Sequence, residues 1–217
     1  MVASELSPKE KISIASRLND RFKKDTCAYE VLEDIRSFSR PIAVDFNNVL
    51  ASNMDPIVIN PEAPAFLAHL RKIGDVFIVT TAQDWQAVHK ILRGGEAWSS
   101  GQVLMTLPNW RFITQFEDYN PKGVETRKSY LDLARSIGWD IKEQDLVTPP
   151  GYKPIAPIFA KPWAIPLVDD SGLATHNNPG VLGICVQSFE PLRTWHESNE
   201  GRLTLPEAIE AVRQVYP

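Results

Sequence analysis

Three short polar runs in this chain could together do phosphoryl chemistry, and each follows an apolar run. Ile42-Ala43-Val44 leads into Asp45-Phe46-Asn47-Asn48. Val76-Phe77-Ile78-Val79 leads into Thr80-Thr81. Ile165-Pro166-Leu167-Val168 leads into Asp169-Asp170-Ser171, with Lys161 just ahead of it. Taken singly, an Asp or Thr at such a place usually caps a turn or helix, and a lysine is usually solvated. The Asp169-Asp170 pair is harder to dismiss. Two adjacent carboxylates repel each other, and a bound cation is the usual relief. A carboxylate nucleophile, a hydroxyl, a lysine and an acidic pair are what metal-assisted phosphoryl transfer requires.

These residues can act together only if the fold brings them together. The apolar runs are short and show no polar alternation, which suits strands covered on both faces. Two more occur, at Val103-Leu104-Met105 and from Val181 to Val186. Helical patterns lie between or after them, at Pro64 to Lys72, Asp84 to Leu92, Glu125 to Ile137 and Pro206 to Val215. Strands alternating with helices predict an α/β fold, a mostly parallel sheet with helices on both faces. In such a sheet ligands bind at the carboxyl ends of the strands, where Asp45, Thr80 and Asp169 would stand. Pro166 is a mild objection to its strand, answered if it sits among the first residues.

Residues 1–40 read as an N-terminal helical extension packed on the core. Ser7-Pro8-Lys9-Glu10 is a helix start, with Ile12, Ile14, Ala15, Leu18 and Phe22 following at roughly helical spacing. A second helix is expected from Tyr29 to Phe38. Residues 41–217 then form the α/β domain, with a small insert around 98–122 that carries Trp110, Phe112, Phe116 and Tyr119. Residues 148–166 hold six prolines, so either a structured functional loop or a cover over one is expected there.

Composition narrows the function. The chain has 217 residues, 43% hydrophobic and 23% charged, an ordinary globular balance that excludes disorder. The net charge of −4 gives no general electrostatic help toward nucleic acid or an anionic membrane, so neither is expected as a partner. Cys27 and Cys185 are too few for a disulfide framework. With no secretory h-region and no apolar run of spanning length, a cytoplasmic location is the expectation. His69, His89, His176 and His196 read as ordinary surface or core groups. Trp85 and Trp163 flank the polar runs and read as packing residues, with stacking on a substrate the alternative.

From about Pro41 to Val186 the chain resembles the haloacid dehalogenase-like (HAD) hydrolase superfamily, small-cap branch, whose fold is Rossmann-like. Ala43-Val44-Asp45-Phe46-Asn47-Asn48-Val49-Leu50 is similar to its first motif, Asp-x-Asp-Gly-Thr/Val-Leu/Val. Val76-Phe77-Ile78-Val79-Thr80 is similar to the second, Lys161 to the third, and Leu167-Val168-Asp169-Asp170 to the fourth. The resemblance implies a Mg²⁺-dependent phosphohydrolase that works through an aspartyl-phosphate on a small phosphorylated metabolite or nucleotide. Asp45 would attack phosphorus. Thr80, with Thr81 as its rival, would bind a phosphate oxygen. Lys161, with Lys153 the weaker candidate, would offset charge. The metal would be held by Asp45, Asp169, Asp170 and the backbone carbonyl of Asn47. The chain departs from the motif at Asn47, where the superfamily has its acid–base Asp, and at Asn48, where it has Gly. Asn47 has no proton to exchange near neutral pH, and general acid–base catalysis contributes typically ~10²–10⁴ in rate. A slow enzyme follows or, alternatively, a catalytically weakened protein serving as a metal- or phosphate-binding interaction module. With 34 residues between Asp45 and Thr80, no large cap is expected there.

Overall fold

The computed structural model describes residues 6–23, 38–52, 56–80, 85–94, 103, 105–108, 163–172, 175, 181–189 and 199–217. Along the described chain run α1 (Pro8–Lys23), β1 (Pro41–Val44), α2 (Ala63–Ile73), β2 (Asp75–Thr80), α3 (Trp85–Gly94), β3 (Met105–Pro108), β4 (Ile165–Asp169), β5 (Val181–Cys185) and α4 (Leu205–Val215). The five strands form one sheet, all parallel, in the order β3-β2-β1-β4-β5. The fold is α/β, as the alternation of apolar runs and helical patterns predicted. β3 starts two residues later than its apolar run suggested, with Val103 buried just ahead of it.

The unalternated runs follow from burial on both faces. On one face Ile42, Val44, Val76, Ile78, Val168 and Ile184 join a single cluster with Phe66, Leu67 and Leu70 of α2, Val88 and Leu92 of α3, and Leu205, Ala208, Ile209 and Val212 of α4. On the other, Ala43, Phe77, Val79, Ile165 and Leu167 are fully buried too. Phe38 meets Phe77 there edge to face, with ring centroids 5.1 Å apart. At ~25 cal/mol per Å² of apolar surface removed from water, this two-sided burial is the main force holding the sheet. Pro166 is accommodated as expected. It is the second residue of β4, ahead of Leu167, where the pairing to β1 begins.

Helix starts follow their local chemistry. Ser7 and Glu10 form the expected reciprocal cap of α1, with Glu10 Oε2 accepting from Ser7 N at 2.8 Å. The Ser7 hydroxyl, donating to the same oxygen at 2.6 Å, and this backbone N–H together hold the Glu10 carboxyl below its usual range. Thr204 and Glu207 do the same for α4. At the start of α2 the buried Asn60 accepts from Glu62 N at 3.0 Å and donates to Val49 O at 2.9 Å. Gly74 links α2 to β2 where a Cβ would stand 2.4 Å from Arg40 O.

The amino-terminal edge of the sheet carries its own polar network. Asp75, the first residue of β2, is 2% exposed. It accepts from Lys11 Nζ of α1 at 2.9 and 3.1 Å and from Arg71 Nη1 at 3.3 Å. Ile12, read as part of an apolar stripe on α1, is instead 54% exposed, and the neighbouring Lys11 makes the ion pair to the sheet. The Tyr216 hydroxyl donates to Pro41 O at 2.8 Å. The second N-terminal helix up to residue 37, the insert apart from Val103 and β3 and the pattern at 125–137 lie outside the described residues, as does the proline-rich loop up to residue 162.

Candidate metal centre

The register of the sheet fixes where the polar runs end. Val44 pairs with Val168 on one side and with Ile78 on the other. Asp45 extends the ladder by one residue, donating its N–H to Val168 O at 2.9 Å. Asp45 and Asp169 therefore emerge at the same level from adjacent strands. By strand alternation both belong to the face of Ala43 and Leu167, away from the cluster of α2, α3 and α4. Asp170 joins them, and ligand oxygens of the three carboxylates lie within 4.8 Å of one another. Asp45 is 5% exposed, Asp169 1%, and Asp170 is half-buried. Thr80, the fully buried last residue of β2, ends the strand on the other side of β1. It lies one step beyond the level of Asp45.

The loop after Asp45 is held by its backbone. Asn48 adopts φ 59°, a left-handed conformation that Asn tolerates better than most residues. Leu50 and Ala51 donate to Phe46 O at 3.0 and 3.1 Å, and Asn48 donates to Ala51 O at 2.7 Å. Phe46, fully buried, pins the loop to the core. Asn47 is half-buried and bridges to Ala51. The chain then folds back on itself: Ser52 N donates to Val58 O at 2.7 Å and Asn60 N to Leu50 O at 2.9 Å. Among the described residues between 50 and 76 there is this return and α2, with no separate domain.

The second acidic loop is clamped as well. Asp169 Oδ1 accepts from Ser171 N at 2.8 Å, and Asp169 O accepts from Val186 N at 3.0 Å. Three carboxylates this close are unfavourable alone. Two unit charges 4.8 Å apart repel by about 3.5 kcal/mol at an effective dielectric constant near 20. A divalent cation reverses the sign. The donors are all oxygen, which suits a hard ion such as Mg²⁺. Cys185 Sγ stands 3.9 Å from Asp170 O, beside the carboxylates but outside the trio.

The sheet thus brings together Asp45, Asp169 and Asp170, with Asn47 and Thr80 at the same carboxyl edge. Lys161, Lys153 and Thr81 lie outside the described residues, as do His176 and His196. Trp163 is 44% exposed and precedes β4, so it stands at the opposite end of the sheet from Asp169. It lines a groove with Arg40 and Tyr216 and does not flank the carboxylates. His69 lines a groove of about 610 Å³ between α2 and α4, also away from the acidic trio.

Sequence reasoning missed Thr175 and Gly183. Thr175 donates from its backbone N–H to Ser171 O at 3.2 Å and from Oγ1 to Ser171 O at 3.0 Å. A Cβ on Gly183 would fall 1.8 Å from Thr175 O. A glycine inside an apolar strand run was the available signal, since it often marks a close backbone approach. No helix among the described residues is long and apolar enough to cross a membrane. No family model, curated protein or solved structure matches the chain.

Proposed function

We infer that the chain is a HAD-like, Mg²⁺-dependent phosphohydrolase acting through an aspartyl-phosphate on a small phosphorylated metabolite or nucleotide. One observation carries the reading: Asp45, Asp169 and Asp170 converge within 4.8 Å at the carboxyl ends of two adjacent parallel strands. Topology supports it. From β1 the chain moves outward one way, through β2 to β3, while β4 and β5 build on the other side. The division falls between β1 and β4. In open α/β sheets that is where the strand-end crevice opens and ligands bind.

In this reading the Asp45 carboxylate attacks phosphorus. A P–O bond to Asp45 forms as the bond to the leaving oxygen breaks. Asp45, Asp169 and Asp170 would hold Mg²⁺, with the Asn47 carbonyl completing the protein donors. When bound, the ion supplies charge neutralisation on the transferring phosphoryl group. The hydroxyl that holds a phosphate oxygen would come from the end of β2, from Thr80 or Thr81, and Lys161 would offset the remaining charge. Asn47 can hydrogen-bond the leaving oxygen but cannot give it a proton, so the leaving group must depart as an anion. Aryl phosphates should be cleaved better than alkyl phosphates, and the aspartyl-phosphate should hydrolyse slowly.

Asn47 also favours the second reading, an interaction module that binds metal or phosphate without turnover. Steady-state assays with p-nitrophenyl phosphate and Mg²⁺ separate the two. The enzyme reading expects activity in the natural chain, none in Asp45→Asn, and up to ~10²-fold more in Asn47→Asp. Activity in Asp45→Asn equal to the natural chain removes the nucleophile. No activity in the natural chain or in Asn47→Asp leaves the module.

A further inference from the structure

We propose that Gly183 and Thr175 are positioning residues that set the placement of the Asp169–Asp170 arm against Asp45. The inference deepens the metal reading above and rests on it. The arm leaves β4 at Asp169 and turns at once. Ser171 N–H reaches back to Asp169 Oδ1 at 2.8 Å, which fixes that carboxylate relative to the turn. The turn is closed by Thr175, whose N–H and Oγ1 both donate to Ser171 O, with a longer Oγ1 contact of 3.3 Å to Gly172 O. Thr175 is 8% exposed.

The turn lies directly on β5. The ideal Cβ position of Gly183 is 1.8 Å from Thr175 O and 2.4 Å from its carbonyl carbon, so main chain touches main chain. Gly183 is not there for a left-handed backbone, since its φ is not positive. It is there for space. Its register partner is Leu167, two residues before Asp169. Any side chain at 183 would have to move β5 or the turn. To restore an ordinary contact near 3.4 Å, the displacement would be about 1.6 Å. Displacements of about 1 Å in a preorganised site can change function by ~10²-fold. Supporting groups behind metal ligands typically set 10–100-fold in affinity.

The test measures Mn²⁺ binding by electron paramagnetic resonance and Mg²⁺ binding by calorimetry on the full chain. The proteins are the natural chain, Gly183→Ala, Thr175→Val and Thr175→Ser. Thermal unfolding in EDTA is recorded alongside. Thr175→Val keeps the shape and deletes the hydroxyl donor; Thr175→Ser restores the donor. Both Gly183→Ala and Thr175→Val are expected to bind 10–100-fold more weakly, and Thr175→Ser within ~3-fold of the natural chain. Should Gly183→Ala fail to fold, the two Thr175 variants decide alone. Natural affinity in Thr175→Val overturns the proposal while leaving the metal reading intact. Equal weakening in Thr175→Val and Thr175→Ser overturns it too, because packing and not the hydrogen bond would then be responsible. No binding by the natural chain overturns the metal reading itself, and this proposal with it.

Discussion

Replacing Asp170 by Asn should stabilise the metal-free protein and abolish its response to Mg²⁺. The substitution keeps the side chain's shape and removes one of three negative charges whose ligand oxygens lie within 4.8 Å. Each pair at that separation repels by about 3.5 kcal/mol at an effective dielectric constant near 20. Two pairs are relieved. Asp170 is half-buried, so solvent screening reduces the benefit, to about 1–2 kcal/mol. For a chain of this size 1 kcal/mol moves Tm by roughly 2–4 °C. Asp170→Asn should therefore melt some 2–8 °C above the natural chain in EDTA at pH 8. Adding Mg²⁺ at 100 times its dissociation constant should stabilise the natural chain by about 2.7 kcal/mol. The curves should then cross, the natural chain rising and Asp170→Asn staying nearly still. Differential scanning calorimetry with and without Mg²⁺ measures all four states. An EDTA melting point at or below that of the natural chain would refute the repulsion argument. An undiminished Mg²⁺ shift in the variant would refute the role of Asp170 in holding the ion.

Two further predictions concern the opposite edge of the sheet. Asp75→Asn strips the carboxylate from Lys11 and Arg71, whose side chains are 13% and 24% exposed; urea unfolding should show a loss of about 2–3 kcal/mol, and a loss below ~0.5 kcal/mol would show that the network adds little. Burial pushes the Tyr216 phenol up to about 12. Its folded pKa thus lies above the unfolded value near 10, the folded state holds the proton longer, and stability should fall as pH rises from about 10 to 12. Tyr216→Phe should flatten that fall, and absorbance titration near 295 nm should show Tyr216 ionising after ordinary tyrosines.

The strands and the acidic trio were legible because both have a simple physical signature. A buried parallel strand must be apolar on both faces, so runs such as Val76–Val79 identified themselves. A polar residue straight after such a run can only be at a strand end, so Asp45 and Asp169 could be placed before their register was known. Pairing order was not accessible, since nothing in the residues of β1 says that β4 is its neighbour. α1 was misread at Ile12 because helical spacing reports periodicity, not which face a distant carboxylate such as Asp75 will hold through Lys11. Gly183 and Thr175 went unnoticed because their contact is between backbones. Closeness in sequence to Asp169 does not bring Trp163 to the carboxylates, because it gives no direction along a strand: β4 carries the two ends apart by ~3.3 Å per residue.

β1 lies in the middle of the sheet, yet its two neighbours are made at very different times. β2 follows it within the next forty residues, whereas Leu167, the partner of Ala43, comes 124 residues later. At about 5–20 residues per second, a growing chain on the ribosome carries β1 for roughly 6–25 s before β4 exists to cover it. Throughout that interval Ile42, Ala43 and Val44 present an apolar strand edge with unpaired N–H and C=O groups, the kind of surface that recruits strands from other chains. Placing Asp45 and Asp169 side by side from opposite halves of the polypeptide therefore means that the acidic trio cannot assemble until residue 170 has been made.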